Sequence, residues 1–128
     1  MKYESLSRGE EIFRALADRT RIRIVRLLFT GREATVCELV DALRLPQYSV
    51  SRHLSILRHA KIVGERREGA WRYYSIIPKL ESFAGRIIAL IESGLNEENL
   101  ETDLILFKNR LALRVDGKCV IGFDGQSD

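Results

Sequence analysis

Apolar residues recur at helical spacing in the first thirty residues, which predicts two amphipathic helices. The first apolar stripe consists of Ile12, Phe13, Leu16 and Ala17. Ser7 and Glu10 have the spacing of a capping box, so we expect this helix to begin there. A second helix is expected to begin after Asp18 or Thr20, either of which can cap it, and to end at Gly31.

Two more helices are predicted around a tight turn. Thr35 and Glu38 form a second capping box, which opens a short helix ending near Leu43. After a linker of three or four residues, Pro46 suits the first position of a helix that reaches about Ala60. The core-facing stripe of this helix consists of Val50, Leu54 and Leu57. The rest of its surface is polar.

Two extended segments follow, over residues 62–67 and 70–77, and Glu68-Gly69 between them fits a hairpin turn. A short helix, a tight turn and a polar-faced helix indicate a helix-turn-helix, and the hairpin makes it winged. The second helix of such a motif enters the DNA major groove by its N-terminal end. The predicted fold class is therefore mainly α with a small β-hairpin, a winged helix-turn-helix.

The C-terminal third is predicted to hold two helices and a tail. The first follows Pro78, is apolar over more than one face and stops at Gly94. The second is capped by Asn96 and runs to about Leu113. Beyond it we expect little regular structure in residues 114–128, apart from a short strand over residues 119–123. Residues 1–93 are interpreted as one domain and residues 94–128 as a C-terminal helix and tail.

Composition narrows the function classes. The 128 residues are 45% apolar and 30% charged, an ordinary globular balance for one domain. No apolar run is long enough for a transmembrane helix and the N-terminus lacks a signal-peptide core, so we expect a cytoplasmic protein with no membrane partner. Cys37 and Cys119 are expected to be free thiols. No phosphate loop or nucleophile–base spacing is present, so an enzyme is not predicted.

Charge is unevenly distributed along the chain. Residues 44–76 contain seven Arg or Lys against two Glu, a balance of +5, whereas residues 92–128 contain four basic against eight acidic residues, a balance of −4. A basic middle indicates a polyanionic partner for the predicted helix-turn-helix. Two alternatives stay open: a solvated face carrying arginines by chance, and a protein-interaction module.

Eight side chains are candidates for contact with double-stranded DNA. They lie on the second helix of the motif and on the hairpin: Gln47, Tyr48, Ser49, Ser51, Arg52, Arg66, Arg67 and Arg72. Arginine can bind guanine with two hydrogen bonds, glutamine can bind adenine, and serine suits a base edge or a phosphate. Arginines at a hairpin tip can reach phosphate or the minor groove. His53 is interpreted as half-buried support for the helix.

Three segments resemble the ArsR/SmtB family of metalloregulatory repressors. They are LADRTRIRIVRLL (with Arg19 where proline is usual), VSRHLSILRHAKIV and RREGAWRYYSI. The resemblance covers about residues 8–92 and implies a homodimer on an inverted-repeat operator that is released when a metal or metalloid binds. It also implies dimerisation through the first and fifth helices, which makes residues 1–93 a DNA-binding and dimerisation domain. The apolar residues of those helices are Ile12, Phe13, Leu16, Phe83, Ile87, Leu90 and Ile91. The alternative is that they are simply core.

The cysteines determine which inducer the resemblance implies. Cys37 matches the second cysteine of the segment Glu-Leu-Cys-Val-Cys-Asp-Leu in the arsenic-sensing branch, and Thr35 replaces the first. Cys37 is predicted at the second position of a helix, where the dipole favours a thiolate, and at the reachable edge of the core stripe. Cys119 lies in a tail that can fold back. We therefore expect Cys37 and Cys119 to bind As(III) or Sb(III) as the inducer, with no constitutive cofactor.

Other interpretations of the two cysteines and of the signal that the protein senses stay open. They are another metal, a redox signal, a protein partner, or two cysteines that only pack. The zinc site that another branch of the family carries on its fifth helix is absent, because residues 78–93 contain no His or Asp. His53 and His59 are six residues apart on a helix, which is the wrong spacing for a joint metal site.

Overall fold

A computed structural model describes residues 3–123, which form six helices and one two-stranded hairpin. The elements are α1 Leu6–Leu16, α2 Arg19–Gly31, α3 Val36–Leu43, α4 Gln47–His59, β1 Val63–Glu68, β2 Trp71–Ile76, α5 Ser82–Gly94 and α6 Glu98–Leu111. The predicted class, mainly α with a small antiparallel hairpin, is confirmed. Within these residues, no helix has the length and apolarity needed to cross a bilayer.

Side-chain caps fix where the first three helices begin. Asp18 accepts a hydrogen bond from the Arg21 amide, and Thr35 forms the predicted capping box with Glu38. The capping box predicted at Ser7 is wrong. Ser5 is the cap of α1 and accepts from the Arg8 amide at 3.0 Å, so Ser7 already lies inside the first helical turn.

The main core is formed by residues of α1 to α6 and of both strands. The stripe predicted for α4, Val50, Leu54 and Leu57, is buried there, because residues three and four apart share one side of a helix. Its largest members include Ile12, Ile24, Leu28, Leu39, Leu54, Leu57 and Ile88. A second, separate cluster consists of Cys37, Tyr73 and Cys119, with Trp71 packed against it. The two cysteines thus lie outside the main core.

The hairpin of β1 and β2 carries two chemically different faces. Glu68 pairs with Trp71, so the turn is Gly69-Ala70 and not Glu68-Gly69 as predicted. Gly69 supplies the positive φ, +62°, that the turn needs. Because side chains alternate along a strand, the residues on the face of Tyr74 are separated from those on the face of Tyr73. Tyr74 belongs to the main core and Tyr73 to the cysteine cluster.

Helix α6 packs against α3 and α2. Gly31 in α2 allows a close approach, because an added Cβ would collide with the ring of Phe107. Asp103 on α6 is 1% exposed and binds the guanidinium groups of Arg23 and Arg44 at 2.8 and 2.7 Å. Glu97 replaces the predicted Asn96 at the start of α6, and the helix ends two residues earlier than predicted. The boundary at residue 93 stays a prediction.

The tail reverses direction after α6. Asp116 and Gly117 both have positive φ, +52° and +74°, between reciprocal backbone hydrogen bonds of Val115 and Lys118. This is a two-residue hairpin turn. The strand predicted over residues 119–123 is wrong, since Ile121 alone among them takes part in a bridge. The last part of the predicted tail, residues 124–128, lies outside the described residues.

Candidate DNA interface and thiol pair

The helix-turn-helix consists of α3, residues 44–46 and α4. Arg44 begins the turn in the left-handed conformation, φ +58°, and its guanidinium binds the buried Asp103 carboxylate. Pro46 takes the position just before α4 and not its first turn. Val50 and Leu54 are fully buried against the core, which directs the opposite side of α4 outward.

The side chains predicted on α4 lie on that outward surface. Gln47, Tyr48, Ser51 and Arg52 are exposed and Ser49 is half-buried. Unlike α1 to α3, α4 has no side-chain cap. The Ser49 amide donates to the Pro46 carbonyl at 3.1 Å, so the amides of Gln47 and Tyr48 are the ones left for an external acceptor. These residues can present donors and a stacking ring to a groove.

His53 lies on the inner side of α4. Its side chain is buried, and its Nδ1 lies 3.1 Å from Arg21 and 3.9 Å from Asp18. Burial lowers the pKa of His53, Arg21 and Arg52 lower it further, and Asp18 opposes them. The surroundings thus favour the neutral imidazole, and His53, predicted to be half-buried, is buried more deeply than expected.

The hairpin arginines divide between its two faces. Arg67 and Arg72 are directly opposite each other in the strand register, are exposed, and form no salt bridge within residues 3–123. Arg66 projects from the other face, where it binds Glu33 at 2.6 Å and Glu68 at 3.1 Å. Two like charges placed opposite each other repel unless an anion lies between them. The pair Arg67 and Arg72 therefore suits a phosphate, whereas Arg66 is already neutralised.

The two cysteines meet although they are 82 residues apart in sequence. The Sγ atoms of Cys37 and Cys119 are 3.9 Å apart, and both residues are buried free thiols. Thr35 Oγ1 lies 3.1 Å from the Cys37 sulfur and 3.6 Å from the Cys119 sulfur. The Ile121 carbonyl faces both sulfurs as well. Two thiolates bound to one tetrahedral zinc ion lie about 3.8 Å apart, so this spacing fits a single soft atom.

Burial changes the chemistry of these thiols. Cys37 is at the second position of α3 as predicted, but it is 1% exposed and not reachable at the edge of the core. Burial, with a smaller contribution from the Glu38 carboxylate, raises the pKa of the Cys119 thiol to about 11, although the contact with Thr35 opposes the rise. Any ligand that takes a thiolate from Cys119 must therefore displace its proton. Within the described residues, no third Cys, His, Asp or Glu completes a metal-ligand group with the pair.

Two arginines hold the tail against α3, and the sequence analysis did not identify either of them. Arg114 binds the fully buried Glu38 with two hydrogen bonds of 2.7 Å. Arg110 binds Asp41 at 2.6 Å and donates to the carbonyls of Ile121 and Gly122. A signal in the sequence was present, since Asp-Gly is a strong hairpin-turn dipeptide and predicts that the chain reverses just before Cys119.

An apolar groove of about 710 Å³ lies between α1 and α5. Leu6 and Leu90 are 94% and 68% exposed on its walls, and Phe13 packs edge-on against Phe83 at 5.9 Å. Of the stripe predicted on α1, Ile12 and Leu16 belong to the core, whereas Phe13 faces outward. The predicted apolar faces are thus divided between core and surface.

Comparison with known proteins agrees with this geometry. The profile of the family described as "Bacterial regulatory protein, arsR family" matches residues 18–64. The chain is 38% identical to the arsenic resistance transcriptional regulator ArsR1 of Pseudomonas putida over 73% of each protein. It is 40% identical to the arsenical resistance operon repressor of Escherichia coli, over 61% of this chain and 67% of that protein.

Solved structures show the same fold. The transcriptional repressor PagR of Bacillus anthracis superposes with a TM-score of 0.61 at 32% identity, over 70% of this chain and 99% of PagR. Reduced HlyU of Vibrio cholerae superposes with a TM-score of 0.63 at 25% identity, over 71% and 92%. The fold and its exposed helix define a winged helix-turn-helix DNA-binding protein. The chain belongs to the arsR family of bacterial regulatory proteins and is a DNA-binding transcriptional repressor of that family, related to regulators and not to enzymes.

Proposed function

We propose that this protein is a homodimeric repressor that binds an inverted-repeat operator and releases it when Cys37 and Cys119 bind As(III) or Sb(III). The observation that carries the proposal is the buried sulfur pair, 3.9 Å apart, against the first helix of the helix-turn-helix. Packing alone does not require two cysteines from distant segments to meet. The names of the relatives in Pseudomonas putida and Escherichia coli support arsenic as the inducer.

The DNA contacts divide by role. Gln47, Tyr48, Ser49, Ser51 and Arg52 on α4 read base edges or adjacent phosphates in the major groove. Arg67 and Arg72 bind phosphate or the minor groove, where an anion relieves their mutual repulsion. Arg66 joins them only after Glu33 and Glu68 release it. Arg66 therefore contributes to DNA binding only when its two salt bridges are broken.

The groove between α1 and α5 is proposed as the dimer interface. Leu90 and Phe13 are large apolar side chains exposed on it, and a second copy of the chain would cover them. A dimer places two α4 helices on successive turns of DNA, which matches half-sites about one helical turn apart. Light scattering should show a dimer, and Leu90→Glu should give a folded monomer with weaker operator binding. A monomeric parent chain would contradict this part of the proposal.

The inducer experiment uses the duplex upstream of the protein's own gene and fluorescence anisotropy. The parent chain should bind that duplex, with affinity that falls steeply as salt is added, and arsenite should release it. Cys37→Ser and Cys119→Ser should bind the duplex normally and resist release. If both serine variants release with arsenite as the parent does, the thiol proposal is wrong, whereas DNA binding stands.

A third thiol sharpens the same experiment. Thr35 Oγ1 faces both sulfurs, so Thr35→Cys would place three thiols around one point. Trivalent arsenic favours three thiolates, and this variant should therefore release the duplex at lower arsenite concentration than the parent. The thermal unfolding midpoint is measured alongside, because Thr35 also caps α3.

A redox switch is the second candidate, favoured by the contact distance of two free thiols. A hydroperoxide would oxidise them, forming one disulfide bond while the peroxide O–O bond breaks to give an alcohol and water. Peroxide should then release the duplex, and dithiothreitol should restore binding. Release by arsenite under reducing conditions would favour the metalloid instead.

A further inference from the structure

Tyr73 lies on the side of the wing, the hairpin of β1 and β2, that packs against the thiol pair. Its side chain is 1% exposed, and its hydroxyl accepts a hydrogen bond of 2.8 Å from the backbone amide of Cys119. The Arg66 guanidinium stacks on the Tyr73 ring, 4.5 Å from its centroid, and the Arg114 guanidinium lies 5.5 Å from the same centroid. A single side chain thus contacts the thiol-bearing tail, the wing and the arginine that anchors the tail to α3.

The tail contacts the same face of the wing at a second point. Lys118 binds Glu68 at 3.3 Å, and Glu68 in turn binds Arg66. Residues 118 and 119 therefore hold both the Tyr73 hydroxyl and the carboxylate that restrains Arg66. A displacement of this short segment reaches Arg66 through two independent contacts.

The edge of the wing is fixed differently. Tyr74 exchanges two backbone hydrogen bonds with Ala34, 2.9 and 2.8 Å long, which tie β2 to the residue just before the α3 cap. That link involves no tail residue. The wing is therefore anchored through the backbone of Tyr74, and the tail contacts it through the side chain of the neighbouring residue, Tyr73.

We propose that Tyr73 is the positioning residue that couples the thiol pair to the wing. The inference rests on the proposed function above. Both sulfurs are buried, and Thr35 Oγ1 and the Ile121 carbonyl already lie beside them, so an atom that binds both sulfurs needs the segment with Cys119 to move. The Cys119 amide then leaves the Tyr73 hydroxyl. The ring and the Arg66 stacked on it then shift, which changes how the wing meets DNA.

The test variant is Tyr73→Phe, with Tyr74→Phe as the matched control on the other face. Phenylalanine keeps the ring and removes only the acceptor. Allosteric couplings between two sites are commonly about 5- to 150-fold in affinity. With arsenite, the parent and Tyr74→Phe should lose operator affinity within that range. Tyr73→Phe should bind the operator normally without arsenite and lose less than about 3-fold with it.

Arsenite binding is followed separately by the fluorescence of Trp71, the single tryptophan, which packs against the cysteine cluster. Tyr73→Phe should bind arsenite as tightly as the parent. If it does and still releases the operator normally, the coupling role is wrong and the proposed function stands. If Tyr73→Phe loses arsenite binding, Tyr73 belongs to the site itself, and the coupling role is also wrong.

Hydrogen exchange tests the coupling in the unmodified chain. The Cys119 amide should be protected in the free protein, and it should exchange at least about tenfold faster with arsenite bound. Unchanged protection, in a protein whose Trp71 signal shows saturation with arsenite, would overturn the proposal. A parent chain that neither binds arsenite nor releases DNA would overturn the proposed inducer, and with it the coupling.

Discussion

Two groups of arginines in this protein have opposite environments. Arg52, Arg67 and Arg72 are exposed on α4 and the wing, and they form no salt bridge within the described part of the chain. Arg110 and Arg114 are largely buried between α6, the tail and α3, and each binds a carboxylate at 2.6 to 2.7 Å. Arginine is thus available to an anion from outside the protein in the first group, and it binds a carboxylate of the protein itself in the second.

The difference shows what each group can contribute. An exposed arginine adds little to stability but binds phosphate or guanine strongly when DNA arrives. A buried arginine opposite a buried carboxylate holds two segments together, and removal of one partner leaves the other charge uncompensated. Arg66 lies between the two groups, since it is exposed but already bound to Glu33 and Glu68.

Arg114→Ala should give the largest effect of all. Glu38, fully buried, would lose both hydrogen bonds to the guanidinium, and loss of one partner from a buried pair costs about 3–5 kcal/mol. Urea unfolding should show a decrease of that size in the free energy of unfolding. Arg67→Ala is the control and should stay within about 0.5 kcal/mol of the parent. Equal effects of the two variants would remove the distinction between the groups.

Arg52→Ala should weaken operator binding by about 1–3 kcal/mol and relax specificity at one base position. The reason is its exposed place on the outward surface of α4. Anisotropy titrations against a set of single-base operator variants measure it. A loss that is uniform over all sequences would show that Arg52 contacts only phosphate.

Arg67→Ala should weaken binding by a similar factor on every duplex and lower the slope of log affinity against log salt by about one. Its partner across the strands, Arg72, should behave alike. The double variant should lose less than the sum of the two single losses, because each single change already relieves the repulsion between them. Strict additivity would mean that the two side chains do not share an anion.

The smallest expected effect is the change in stability with pH that His53 causes. Because burial lowers the pKa of His53, the unfolded chain takes up a proton at higher pH than the folded chain does. The stability that neutral His53 contributes is present above its ordinary pKa of about 6.5 and is lost as pH falls below that value. Thermal unfolding should therefore show a steeper decline from pH 7 to 5 in the parent than in His53→Gln. Parallel profiles would exclude His53 as the titrating group.

Local patterns predicted most of the DNA-binding half of the molecule. The capping box at Thr35 and Glu38 and the stripe of Val50 and Leu54 act within one or two helical turns, so the sequence alone indicates them. The capping box at Ser7 failed because Ser5, two residues earlier, serves equally well as a cap. Several polar residues in succession leave the start of a helix undetermined.

The thiol site was less accessible to prediction. Its two cysteines could be named, but their contact depends on Arg110, Arg114 and the reversal at Asp116-Gly117, which join distant segments. The sequence could have predicted that Arg66 and Arg67 project from opposite faces of the hairpin, since neighbouring residues on a strand face opposite sides. Only the fold shows that the side facing the tail offers Glu33 as a partner.

The reversal at Asp116-Gly117 has an evolutionary consequence. One ligand of the proposed sensor lies on a segment that follows α6, whereas the residues proposed to contact DNA lie on α4 and the hairpin. A gene can therefore change the proposed inducer by editing the codons of that one segment, while the proposed DNA contacts stay the same.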